Sequence, residues 1–300
     1  MSLSLLERRK NKMGIIGKGA NQSVSDGSFA LQAGGDIKIT TGLSAADVIQ
    51  LFDVLFQNQF PKIQEVAREQ AISNRRELET LVISELHKNS EKIIIDKFKD
   101  PDIQALLSDA LTFAARKGKK SHPDLLSKLI VEKVSGGNSD LMEIILNEAV
   151  SVVPKLTKPQ ISLICVIFVL NDVQMTAIPA GNILHMLESF HQKFEQYLGS
   201  KFDLSPTSLK HLSYTGACNY NDFMVRDTVD SYLHKYAYFG ASNVEKAKKK
   251  LGFIAPAIFR FINKINAPQI GGVNLTGVGQ AIAITTLKEI APFDYAQWLK

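Results

Sequence analysis

Cysteine is nearly missing: the 300 residues hold two, Cys165 and Cys218. Neither has a neighbour at metal-ligand or redox-motif spacing, which excludes a zinc knuckle and a CxxC site, and a reducing, cytoplasmic setting is expected. Long apolar runs are also lacking. The longest nearly unbroken one, ISLICVIFVL at 161–170, is half the ~20 residues a membrane span needs. Pro159 on one side and Asn171 and Asp172 on the other mark it as a buried core helix. The opening MSLSLLERRKNKM carries an apolar stretch too short for a secretory signal. A dense basic patch is absent too: the net charge of +5 permits anionic partners without arguing for them. Internal repeats and long low-complexity tracts are not found.

What is present is a chain of ordinary globular make-up, 45% apolar and 22% charged, long enough for one large domain or two of usual size. Its first part differs from the rest. From Gly14 to Gly42 the sequence is rich in glycine, serine and small residues. Within SFALQAGGDIKIT, Phe29, Leu31, Ala33, Ile37 and Ile39 alternate with polar residues. That is the period of a strand, with Gly34 and Gly35 at a bend.

At Ser44 the character changes to helix: Ser44 and Asp47 form an N-cap pattern ahead of Val48, Leu51, Phe52, Leu55 and Phe56. Pro61 opens a second, long helix to about Asn89, whose sparse apolar stripe suits a bundle. Further helices are expected around 101–117, 122–135 and 138–153, split by KGKKSHP and SGGNS. Pro154 and LTKP then mark a domain boundary near 155. The second half reads as helices at 159–173 and about 179–199 and a capped helix stopping at Gly216. Two or three helices follow between 222 and 266, then a short extended piece at 270–275 and a terminal helix.

Chemistry-bearing motifs are thin. GIIGKGANQS lacks P-loop spacing, since Gly19 follows Lys18 where a hydroxyl is needed, and Gly277-Val-Gly279 lacks the third glycine of a dinucleotide turn. Glu188 and His191 form a single ExxH, where a di-iron bundle needs two, so they are expected to be ordinary surface neighbours. Cys218, with His211 and His234 not far off in sequence, is read as a packed small hydrophobe rather than a nucleophile. The basic runs KAKKK at 246–250, with Arg260 and Lys264, and KGKK at 117–120 have the composition to meet phosphates, with a solvated surface as the default.

Two resemblances add to this. SLKHLSYTGACNY and the later GGVNLTGVGQAIAI resemble the end of a winged-helix domain: a helix of the form LxxLxxxG leading to a strand, then a closing strand running into LTxxGxxxA. There the turn caps the last helix, through Thr276 and Gly277 or Gly279. Bacterial proteins of the abortive-infection alpha type carry similar endings. ALQAGGDIKIT resembles one coil of the filamentous-haemagglutinin type of β-helix, a segment also familiar at the start of bacterial proteins linked to phage defence. A lone coil leaves strand edges and apolar side chains without neighbours, which other copies of the chain can supply.

The expected architecture is mainly α: a helical bundle with a short N-terminal β-arch and a small winged-helix-like element near the C-terminus, divided 1–42, 43–155 and 156–300. The expected function is a non-enzymatic, cytoplasmic bacterial interaction protein. It forms a homo-oligomer through Phe29, Leu31, Ala33, Gly34, Gly35, Ile37 and Ile39, with a role in stress or anti-phage defence implied by resemblance. A protein partner is admitted, and no cofactor, metal or membrane is expected. The alternatives are a nucleic-acid-binding regulator using Lys248, Lys249, Lys250 and Arg260, and an enzyme whose site the sequence does not assemble.

Overall fold

The computed structural model describes residues 60–175, 180–199, 202–223, 226–293 and 295. The expected β-arch and its seven residues lie outside this set. By packing, the chain divides into residues 1–70 and 71–300. Only 60–70 of the first unit are described, and the core belongs to the second. The boundary expected near 155 falls inside that second unit, whose apolar core runs across it.

The architecture is mainly α. Eleven α-helices are found among the described residues: α1 Phe60–Lys88, α2 Pro101–Lys117, α3 Pro123–Val134, α4 Asp140–Val152, α5 Lys158–Asn171, α6 Ala180–Leu198, α7 Pro206–Tyr214, α8 Thr228–His234, α9 Val244–Ile254, α10 Pro256–Ile265 and α11 Gly277–Leu287. Proline sits in the first turn of α2, α3, α5, α7 and α10, where its missing N–H costs nothing. Thr157 and Gln160 close a capping box at the start of α5.

α5 is the axis of the core. Every side chain from Gln160 to Leu170 is buried, as an all-round apolar helix requires. Its fully buried Leu163, Ile164, Ile167 and Phe168 each contribute about 1.5–3 kcal/mol. α11, equally apolar, packs along α5 and α4. The far end of α5 is closed by Lys235, whose Nζ donates to the carbonyls of Asn171 at 2.9 Å and Val173 at 3.1 Å. On the other flank the Lys133 ammonium, 3% exposed, lies between Asp102 at 3.3 Å and Glu143 at 3.5 Å. A buried cation needs such partners; Asn147 first holds the Asp102 carboxyl below its usual range and Lys97 first the Glu143 carboxyl, with Lys133 adding to both.

Two short strands, β1 Cys218–Tyr220 and β2 Val273–Leu275, pair antiparallel in the register Cys218 with Leu275, Asn219 with Asn274 and Tyr220 with Val273. The two pieces singled out for their winged-helix-like pattern are therefore hydrogen-bonded neighbours, although α8, α9 and α10 are inserted between them. A two-stranded sheet is marginal alone. Here α7, α5 and α11 pack against it.

Candidate functional site

KGKKSHP does more than break a helix. Gly118 turns the chain at φ +52, where a Cβ would meet the Asn74 side chain at 2.8 Å. A 3-10 turn runs to Ser121, and His122 adopts φ 57 before Pro123 starts α3. A second tight turn, Val153–Lys155, leads to α5. The two are pinned together: Lys117 Nζ donates to Pro154 O at 2.7 Å and His122 Nε2 to Leu156 O at 2.8 Å. Burial first, then the charges of Lys158 and Lys117, push the His122 pKa down against its carbonyl partner. The ring is therefore neutral at pH 7, with the proton on Nε2 and an acceptor lone pair on Nδ1.

These turns form one wall of a cleft of about 610 Å³, completed by Glu77 of α1, Asp124 and Lys128 of α3, Tyr197 of α6 and Thr286 of α11. Such a volume is usual for small-molecule sites. Lys119, Lys120 and Lys155 are exposed on the two turns and Lys158 at the first residue of α5, and none has a carboxylate within ion-pair distance among the described residues. Lys128 is different, since Glu289 holds it at 2.5 Å. Lys128 also borders a second cavity of about 230 Å³, where opposite charges are closed on one another, Lys288 bonding Glu132 at 2.8 Å and lying over the Tyr295 ring. Of these two cavities, the larger cleft is the one whose rim carries lysines without a carboxylate partner among the described residues.

Behind the cleft, past Ser162 and Leu198, which line both, lies a chamber of about 20 Å³ bordered by His191, Phe194 and Phe261. It has room for about one water. Glu188 and His191, expected at the surface, are 9% and 1% exposed. α6 turns that face onto α10, and the two side chains work apart from each other. The Glu188 carboxylate accepts from Ala257 N at 2.9 Å and Ile258 N at 3.1 Å, capping α10. His191 Nε2 meets the Tyr232 hydroxyl at 2.6 Å, its ring lies 4.5 Å from that of Phe261, and its Nδ1 finds no partner among the described residues.

Burial pushes the His191 pKa down to about 3, the nearby Glu195 opposing only weakly. The unfolded chain therefore takes up a proton near pH 6.5 that the folded one refuses until about pH 3. Stability from this group is full above pH 6.5 and lost as pH falls, by about 1.4 kcal/mol per unit. Urea unfolding of His191→Phe between pH 6 and 4 is expected to show a pH slope shallower by one proton than the parent. An unchanged slope would refute a neutral buried imidazole.

The other sequence candidates lie apart from the cleft. Arg260 bonds Glu195 at 2.8 Å, as does Lys264, which ties α10 to α6. Lys250 donates to Phe239 O at 2.6 Å and so holds a turn in which Ala237, Tyr238 and Phe239 all have positive φ. Lys248 approaches Glu245 only to 4.0 Å, one turn away. Of the four residues of the nucleic-acid reading, two are thus engaged by their own chain. Burial raises the Cys218 thiol to about 11 and the Cys165 thiol to about 12 against a bond from Thr286, so both stay protonated at neutral pH. His211 bonds Gln160 and His234 packs on Tyr238, not on Cys218. GIIGKGANQS lies outside the described residues. Gly277-Val-Gly279 opens α11, where Thr276 Oγ1 accepts from Gly279 N at 3.3 Å, the capping expected of that turn. Among the described residues no cluster of three His, Cys, Asp or Glu is suited to a metal, and no helix is long and apolar enough to cross a membrane.

KGKK was visible in the sequence as a basic run. Its pairing with Lys155 and Lys158 was not, because the two turns meet only through the Lys117 and His122 bonds. A family model whose description reads ":-like" matches residues 42–245. No curated protein and no solved structure matches the chain.

Proposed function

The chain belongs to that family, and from this premise we propose that it is a non-enzymatic binding protein. In this reading its helical body takes up a ligand at the lysine-rimmed cleft and its N-terminal stretch joins copies of the chain. The observation that carries the first part is the cleft, lined by the exposed Lys119 on one turn and the exposed Lys158 at the start of α5. Away from the cleft, the candidates for catalysis marked in the sequence are occupied by structural work: Glu188 caps a helix, His191 bonds Tyr232, and both thiols are buried. The second part is supported by the alternating apolar face of Phe29, Leu31, Ala33, Ile37 and Ile39, which two short strands cannot bury unaided. A cytoplasmic setting fits the near-absence of cysteine, and a role in stress or anti-phage defence is what the likeness of QAGGD implies.

Removing residues 1–42 and measuring mass by light scattering tests the assembly. The full chain is expected as an oligomer and the truncated one as a monomer that keeps its helical circular dichroism. An identical mass for both would end this part of the proposal.

A further inference from the structure

We infer that the cleft binds a phosphorylated small molecule of nucleotide size. This rests on the reading of the cleft as a binding site, and not on self-association. Three observations converge. First, Lys119 lines the cleft from one turn and Lys158 from the start of α5, with Lys120 and Lys155 exposed on the two turns nearby. An ammonium is a compact point charge suited to phosphate, and none of the four has a carboxylate within ion-pair distance among the described residues. Second, the first turn of α3, Pro123, Asp124 and Leu125, lines the cleft; Pro123 has no N–H and the Leu125 and Leu126 amides are taken by His122 O, so what α3 adds is the positive end of its dipole and not a set of free donors.

Third, the rest of the lining suits the body of such a ligand and not a bare ion. The exposed Tyr197 ring and the apolar Leu125, Ile161 and Leu198 offer surface to a flat ring. Glu77 and Asp124, also in the wall, are acceptors for hydroxyl or amino donors. A free inorganic anion would leave both carboxylates and the apolar wall unused. The volume of about 610 Å³ matches an organic phosphate with a ring, and the concave shape separates it from the flat basic face that a nucleic-acid backbone tracks.

The test is isothermal calorimetry on the full chain at constant ionic strength, with ADP, adenosine and anilinonaphthalene sulfonate as probes. ADP is expected to bind saturably at one site per chain and adenosine at least tenfold more weakly. The Lys119→Ala/Lys158→Ala double variant is expected to lose at least tenfold in ADP affinity. Because both lysines are exposed, its melting temperature should match the parent, and Lys246→Ala on α9 should bind ADP normally. No saturable ADP binding, an unchanged double variant, or adenosine binding as well as ADP would each overturn the assignment. If the dye binds through Lys119 and Lys158 where ADP does not, the phosphate ligand is wrong and the binding cleft stands. If neither binds, both fall. A single-stranded oligonucleotide that binds in place of ADP would transfer the lysines to nucleic acid and overturn it too.

Discussion

Gly279→Ala is expected to destabilise the protein by about 3 kcal/mol or more, among the largest effects of any single methyl group in the chain. A Cβ at this position would stand 2.0 Å from the carbonyl oxygen of Ala217 and 3.2 Å from Leu275 Cδ2. The leucine tip has freedom to move. The carbonyl has none, for it accepts from Thr276 N at 3.2 Å, and the next carbonyl back, that of Gly216, accepts from the Thr276 hydroxyl at 2.5 Å. Immediately after it, Cys218 is locked in register with Leu275. To admit the methyl, α11 would have to lift from Ala217, just ahead of β1, and α11 is also the helix that lies along α5 in the core. Gly252→Ala is the matched contrast. Its Cβ would meet only the Phe259 ring, at 3.8 Å, so this substitution within α9 is expected to stabilise by about 0.5–1 kcal/mol. Urea midpoints of the two variants against the parent decide the matter. If Gly279→Ala lies within 1 kcal/mol of the parent, the contact between α11 and Ala217 is not as close as described.

Glu188→Ala is expected to cost about 3 kcal/mol. α10 starts at Pro256 with Ala255 before it and has no side-chain cap of its own. The donors of its first turn rely on a carboxylate from another helix: Glu188 Oε1 lies 2.9 Å and Oε2 3.1 Å from Ala257 N, and Oε2 lies 3.1 Å from Ile258 N. Truncation leaves both N–H groups buried without a partner, at about 1–3 kcal/mol each. It also removes a negative charge from the positive end of a helix. Glu188→Gln retains one acceptor oxygen and should lose about half as much. The second readout is hydrogen exchange at Ala257 and Ile258. Their amides should be protected in the parent and exchange faster in Glu188→Ala. A loss under about 1 kcal/mol with protection unchanged would show that α10 is capped by some other group.

Both effects bear on what can be read before a structure is known. The helices are legible because their signals are local. Proline opens α2, α3 and α7, glycine stops α7, and the apolar run 161–170 becomes the buried α5. Thr276 as a cap and glycine at 277 or 279 were marked by the pattern of the turn, but not the reason for Gly279, which is a carbonyl some sixty residues back in the chain. The ExxH pair was misread for the same kind of reason. Spacing places Glu188 and His191 on one helical face, and whether that face meets water or α10 is a matter of packing. Their roles depend on Ala257, Ile258 and Tyr232, none of which is near them in sequence.

The cleft obeys the same logic. KGKK at 117–120 was a visible basic run, and Lys155 and Lys158 were single charges beside prolines. Only the bonds from Lys117 to Pro154 and from His122 to Leu156 make them one rim. What the sequence by itself determined was the helical class and the order of the helices among the described residues, because period and capping act within a few residues. What only the tertiary structure decided was which polar residues are buried, which glycine is irreplaceable and where cations gather around a cavity. Those properties arise from contacts between segments far apart in the chain, and no local spacing encodes which segments will meet.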